Sequence, residues 1–279
     1  MRKVYLFVIV PAFLLILSGC SSLGPTGVGP NGPTQIEILG QASFAKQCKG
    51  GLLPDLHTVV PQQVQMVNDH QREVLRFSNG IANMGEGPWR LRHAFPLSDP
   101  SQPQLAIQQI LDGNGKLVCE KTVSQFEFHP EHNHWHINNV ALFEVRVGSP
   151  AGPVFGTNSV KVTFCLIDWY KLEDNSPTKE RVYFECSADW QGISPGWVDQ
   201  YHQSTDGQQL DITGAAVGRY YLVSTSNPAG VFVEKDLTNN VAWVGFELTR
   251  DSQGNPKIEI VDHSPCETAG LCGEGAPNR

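Results

Sequence analysis

Short runs of β-branched and aromatic residues recur along this chain, and an apolar 3.6-residue period never persists long enough for a substantial helix. Glu73–Phe77, Val140–Val147, Val160–Leu166, Tyr220–Thr225 and Val241–Leu248 are such runs. Turn-forming residues separate them, as in Asp112-Gly113-Asn114-Gly115, Gly148-Ser149-Pro150 and Ser226-Asn227-Pro228. Extended segments joined by turns must bury alternate side chains against a second layer. The predicted fold is therefore all-β, an antiparallel β-sandwich with long loops.

At the N-terminus, Arg2 and Lys3 precede an apolar run, Val4 to Leu17, that breaks into Leu17-Ser18-Gly19-Cys20. The run is short of the roughly 20 apolar residues a membrane span needs and reads as a secretory signal over residues 1–19. A small-residue cleavage site directly before a cysteine is similar to a bacterial lipoprotein box. Cys20 is thus expected to carry lipid and to hold the protein at the cell envelope, facing the extracytoplasmic side; the alternative is an ordinary cleaved signal in which Cys20 is incidental. Residues 20–35 are rich in Gly, Pro and Ser and read as a flexible tether. Residues 36–263 read as one large domain and residues 264–279 as a loop-like tail.

The chain has 20 basic and 28 acidic residues, a net charge of −8, and losing Arg2 and Lys3 with the signal makes the remainder more acidic still. Such a surface argues against nucleic acid as a partner and mildly attracts cationic amines. Of seven cysteines, six remain once Cys20 is assigned to lipid, and export permits their oxidation. Cys266 and Cys272 form the nearest pair; Cys48, Cys119, Cys165 and Cys186 leave several pairings open.

Four of the nine histidines fall in Phe126-Glu127-Phe128-His129-Pro130-Glu131-His132-Asn133-His134-Trp135-His136. Side chains alternate in a strand, so His132, His134 and His136 would project from one side. Three imidazoles on one face make a site for copper or zinc with positions open to water or substrate. His129 lies an odd number of positions away, before Pro130, and is expected in a supporting or loop position. Spacing does not choose the metal. A three-histidine zinc hydrolase, an iron site completed by a carboxylate such as Glu144, a solvated histidine face and a non-catalytic metal-binding sandwich stay open.

This segment resembles the copper site of the lysyl oxidase family, where an aromatic-Glu-aromatic-His stretch precedes His-x-His-x-His. Val160-Lys161-Val162-Thr163-Phe164-Cys165-Leu166 resembles the family's segment with the cofactor lysine. Gln191-Gly192-Ile193-Ser194-Pro195-Gly196-Trp197-Val198-Asp199-Gln200-Tyr201 resembles the segment with the cofactor tyrosine. Leu210-Asp211-Ile212-Thr213, Gly218-Arg219-Tyr220-Tyr221-Leu222 and Glu234-Lys235-Asp236-Leu237-Thr238-Asn239-Asn240 follow in the family's order. Leu53-Pro54-Asp55-Leu56, Leu75-Arg76-Phe77 and Asn83-Met84-Gly85 fit upstream.

The resemblance implies copper on His132, His134 and His136, and a lysine tyrosylquinone built from Lys161 and Tyr201. It implies a copper-dependent oxidase that uses molecular oxygen to turn a primary amine, from a protein lysine or a small molecule, into an aldehyde with release of ammonia and hydrogen peroxide. A base must then take a proton from the carbon beside the amine; Asp199 is the first candidate and His202 the second. It also implies calcium on Asp55, the Leu56 carbonyl, Glu234, Asp236, Asn239 and Asn240, where the bland reading is a polar turn. Animal members carry cysteines where Glu131, Trp197 and Gly207 stand here. Cys165 and Cys186 therefore lose their usual partners and are expected to pair with each other or stay reduced.

Overall fold

The computed structural model describes residues 43–44, 46–69, 71–94, 101, 104–130, 133–156, 160–186 and 189–277, with the side chains of residues 160–162 outside that description. The signal, Cys20 and the tether lie outside the described residues. In chain order the strands begin with β1 (Leu56–Thr58), β2 (Gln62–Asp69), β3 (Arg72–Asn83), β4 (Trp89–His93) and β5 (Gln104–Leu111). The middle of the chain gives β6 (Leu117–His129), β7 (His134–Val147), β8 (Val160–Phe164), β9 (Tyr170–Lys171) and β10 (Trp190–Ile193). Then come β11 (Trp197–Tyr201), β12 (Gln209–Asp211), β13 (Gly218–Ser226), β14 (Val241–Arg250) and β15 (Pro256–His263).

All five predicted runs lie within or begin strands, namely β3, β7, β8, β13 and β14. The larger sheet runs β10-β4-β5-β6-β7-β13-β14-β15, with β8 also paired to β7; the smaller runs β1-β3-β11-β9, with β2 and β12 also on β3. The two sheets face each other across one apolar core, as the all-β sandwich reading requires. Phe77 of β3 meets Phe143 of β7 edge to face at 4.9 Å, and Leu75, Ile81, Val145, Leu222 and Phe246 pack in the same cluster. Burying such aromatic and branched side chains stabilises each by roughly 1.5–3 kcal/mol.

The turns form as their residues dictate. Between β5 and β6, Asp112 Oδ1 accepts the Asn114 and Lys116 amides at 2.9 Å while Gly115 takes φ +78°. The six cysteines join as Cys48–Cys119, Cys165–Cys186 and Cys266–Cys272. The described residues of the tail form turns, and more than a disulfide holds them. The Val60 amide donates to the Leu271 carbonyl at 2.9 Å, Glu173 Oε1 accepts the Gly270 amide at 2.9 Å, and Leu271 is buried against Val59, Ala82 and Val198.

Candidate active site

The hairpin of β6 and β7 sets the site. Its register pairs Phe126 with Ile137, Glu127 with His136, Phe128 with Trp135 and His129 with His134. Antiparallel partners project to the same side and successive residues to opposite sides. Glu127, His129, His134 and His136 therefore share one face, and Phe126, Phe128, Trp135 and Ile137 the other. The apolar set fixes the register, because a one-residue slip would turn Phe126, Trp135 and Ile137 out of the core they pack in.

On the polar face the rings of His129 and His136 stack at 4.1 Å, and those of His134 and His136 lie 4.8 Å apart. The Nε2 atoms of His134 and His136 converge to 2.8 Å, an approach that a shared proton or a shared metal ion would satisfy. Thr163 Oγ1 lies 3.0 Å from His136 Nδ1 and 3.3 Å from His129 Nε2, so one hydroxyl orients both rings. Imidazoles converging in this way fit copper or zinc.

His134 and His136 are thus placed together as expected, while His132 lies outside the described residues. His129 joins them, although counting along a single strand set it in a supporting or loop position. The turn supplied the missing signal: Asn133 takes φ +54° and its amide meets the Pro130 carbonyl at 3.3 Å, so the chain reverses and carries His129 opposite His134. Glu144 does not complete the cluster; its buried carboxylate accepts Arg146 Nε at 3.1 Å.

Two more strands bring the remaining groups. Lys161 lies in β8, in register with Leu142 and two residues before Thr163; its side chain is outside the described residues. Tyr201 ends β11. Its Oη accepts the Cys165 amide at 2.7 Å, its ring packs on Phe164 at 4.2 Å, and His136 stands 6.3 Å away edge to face. Burial pushes the Tyr201 phenol well above its ordinary pKa and the Asp199 carboxylate adds to this, against the opposing Cys165 amide.

Asp199, two residues before Tyr201 and buried, lines the same cavity of ≈ 410 Å³ as Tyr201, His134, Ile167, Trp169 and the Cys165–Cys186 disulfide. His202 is turned elsewhere: its Nδ1 lies 2.8 Å from Ser204 Oγ, and it is not among the residues lining that cavity.

A second polar cluster gathers where β1 meets the segment before β14. Glu234 accepts the Leu56 amide at 2.8 Å, Asn227 Nδ2 at 2.5 Å and Asn240 Nδ2 at 2.8 Å. Burial raises the Glu234 carboxyl to about 8 against those three donors. Asn239 Nδ2 donates to Asp55 Oδ1 at 3.2 Å and lies 3.0 Å from His57 Nε2. Burial pushes Asp55 up, but hydrogen bonds from His57 and Asn239 outweigh it and hold that carboxyl below its usual value. The buried Oδ1 atoms of Asn239 and Asn240 have no hydrogen-bond partner among the described residues. Asp55, Glu234, Asn239 and Asn240 thus come together, whereas exposed Asp236 is taken up by Thr238 in its own turn. Sequence reading missed His57 and Asn227, which lie outside the Glu234–Asn240 run. Elsewhere, His263 approaches Cys266 and Cys272, but their disulfide leaves no thiolate to bind a metal.

A family profile for lysyl oxidase matches residues 106–254. Lysyl oxidase homolog 1 of Bos taurus is 32% identical over 153 residues, covering 53% of this chain and 24% of that protein. Protein-lysine 6-oxidase of Sus scrofa is 33% identical over 139 residues, covering 49% of this chain and 53% of its own length. Lysyl oxidase homolog 2 of Xenopus laevis is 25% identical over 173 residues, covering 61% of this chain and 18% of its own length. This chain therefore spans at most about half the length of these relatives. The matched segment contains the whole β6–β7 hairpin, β8 and β11, and the chain belongs to the lysyl oxidase family.

Proposed function

We propose that this chain is a copper- and quinone-dependent oxidase of primary amines, similar in reaction to protein-lysine 6-oxidase. The observation that carries the reading is the meeting of Tyr201, Asp199 and His134 on one cavity, with His136 beside the Tyr201 ring. His132, His134 and His136 would hold copper, with His129 adjoining, and Lys161 and Tyr201 would form a lysine tyrosylquinone. Together these groups supply an electron sink, so that amine, oxygen and water become aldehyde, ammonia and hydrogen peroxide.

The chain's own residues do the rest. The Cys165 amide holds Tyr201 Oη, and packing on Phe164 limits the ring's freedom before any chemistry begins. Ile167 and Trp169 give the cavity an apolar wall that limits water at the reacting carbon. Asp199 is buried on the face it shares with Tyr201, within the cavity a substrate would enter, and takes the proton from the carbon beside the amine. Thr163 keeps the imidazoles of His129 and His136 in orientation.

Copper-loaded, aerated protein should release peroxide from a primary amine, and mass spectrometry should find the peptides holding residues 161 and 201 covalently joined. Tyr201→Phe should abolish both, and Asp199→Asn should slow turnover by about 10²–10⁴-fold. Oxidase activity surviving Tyr201→Phe would overturn the reading. Copper uptake without oxygen consumption would leave a metal-binding sandwich in its place.

A calcium ion is part of the same proposal, held by Asp55, the Leu56 carbonyl, Glu234, Asn239 and Asn240, with Asp236 at the rim. Oxygen donors without hydrogen-bond partners beside two carboxyls favour a hard cation. Calcium added at pH 7 should raise the thermal midpoint and release a proton from Glu234; neither happening would remove the ion from the proposal. We further place the reaction outside the cytoplasm on a lipid held by Cys20. Detergent-phase partitioning unchanged by Cys20→Ala would refute the anchor.

A further inference from the structure

Between β9 and β10 the chain displays apolar side chains from a segment that is fixed at both ends. Asp168, wholly buried, accepts the Val182 amide at 2.8 Å and the Tyr183 amide at 3.2 Å, and its own amide donates to the Tyr183 carbonyl at 2.8 Å. Tyr183 is buried, which anchors the start of the segment. Its end is tied by the Cys186–Cys165 disulfide to the residue whose amide holds Tyr201 Oη. On either side of Tyr183, Val182 and Phe184 remain 55% and 58% exposed, and Trp190 follows at 44%.

These side chains do not collapse onto the core, because their neighbours occupy it. Instead they line a cavity of ≈ 380 Å³ with Glu185 and Arg90, whose guanidinium sits 4.4 Å over the Trp190 ring. Exposed apolar area of this kind marks an interaction surface. Holding it rigid before contact reduces the ordering cost of association.

Its position identifies the occupant. Cys186 lines the catalytic cavity and directly follows Glu185 of the outer one, and the Arg181 guanidinium stands 5.9 Å from the ring of Trp169, another wall of the catalytic cavity. The patch thus adjoins residues that wall the catalytic cavity. Glu185 lines the outer cavity and Asp189, next to Trp190 in sequence, is exposed, on a chain of net charge −8, which favours a cationic guest.

We propose that Val182, Phe184 and Trp190 form a docking platform for a polypeptide substrate, a cationic segment whose large apolar side chains flank the lysine that enters the Tyr201 cavity. The inference rests on the amine-oxidase reading and deepens it. A small amine fills only the inner cavity, whereas a peptide uses both.

The test compares three probes on copper-loaded full chain: a short alkylamine, a one-lysine peptide flanked by Leu and Phe, and a one-lysine peptide flanked by Gly and Ser. Phe184→Ser should raise KM for the Leu/Phe peptide about tenfold and leave the alkylamine unchanged, as expected for an aromatic anchor of an interface. Trp190→Ser should move the same parameter in the same direction. The platform is overturned if wild-type protein treats the two peptides alike, or if Phe184→Ser alters the alkylamine as much as the peptide. Should no amine be oxidised, the oxidase reading fails, and fluorescence anisotropy of a labelled Leu/Phe peptide still judges the surface. There, about tenfold weaker binding to Phe184→Ser supports the platform and equal binding rejects it. A wild-type dimer that Phe184→Ser dissociates would assign the patch to a second copy and also overturn the proposal.

Discussion

The β6–β7 hairpin presents histidines to two different worlds. On one face His129, His134 and His136 meet one another and the Thr163 hydroxyl beside a cavity. On the other, His93 reaches in from β4, stacks on Phe126 at 3.7 Å and meets Trp135 edge to face at 5.3 Å. Both of its ring nitrogens are buried without a hydrogen-bond partner among the described residues, and burial lowers its pKa to about 4. The side chain is the same, but one environment makes a donor set and the other an aromatic filler. What suits a histidine to the proposed ligand role is convergence of ring nitrogens upon each other with a second polar group fixing the ring.

The largest effects should come from truncating one residue on each face. His136→Ala is expected to lower amine oxidation by at least about 10³-fold, since it removes a proposed metal donor and the ring beside Tyr201, while changing the thermal midpoint little. Phe126→Ala should do the reverse. It empties a fully buried site, costs roughly 3–5 kcal/mol, and lowers the midpoint by about 2–4 °C for each kcal/mol. Its residual folded fraction should keep normal peroxide release per bound copper. If folded Phe126→Ala protein lost activity as completely as His136→Ala, the two faces would not be separable.

How much of this contrast was legible beforehand follows from what sets each feature. The apolar runs announced β3, β7, β8, β13 and β14 because their buried faces are β-branched or aromatic. β2 and most of β6 were not singled out because polar residues such as Gln62, Gln63, Glu120 and Lys121 dominate strands whose side chains are mostly only half buried. Alternation along β7 placed His134 and His136 correctly. It did not place His129, because parity is carried across the turn by cross-strand register, a non-local quantity. The two-residue spacing of Asp199 and Tyr201 survived as a shared cavity wall. His202 was attractive by proximity in sequence, but it lies past the end of β11, where its ring meets Ser204. Cys165 and Cys186 pair with each other, one of the two outcomes expected from their missing partners. His57, Asn227 and His93 carried no signal, since what distinguishes each is the set of neighbours that folding supplies.

The smallest effect tests the aromatic face through pH. His93 has a folded pKa of about 4 against an ordinary 6.5, so the fold favours the neutral ring. A depressed folded pKa contributes stability that is complete above pH 6.5 and lost as pH falls from there towards 4. Over that window the loss should be on the order of 2 kcal/mol. His93→Phe keeps an aromatic ring against Phe126 and Trp135 and removes the titration. Urea unfolding at pH 7 and pH 4.5 should therefore show wild type losing about 2 kcal/mol more than His93→Phe. Carboxylates that protonate in the same range act on both proteins and cancel in the difference. Equal losses would mean that His93 finds a proton acceptor or water in solution, and the two faces of the hairpin would then differ in geometry but not in how they treat charge.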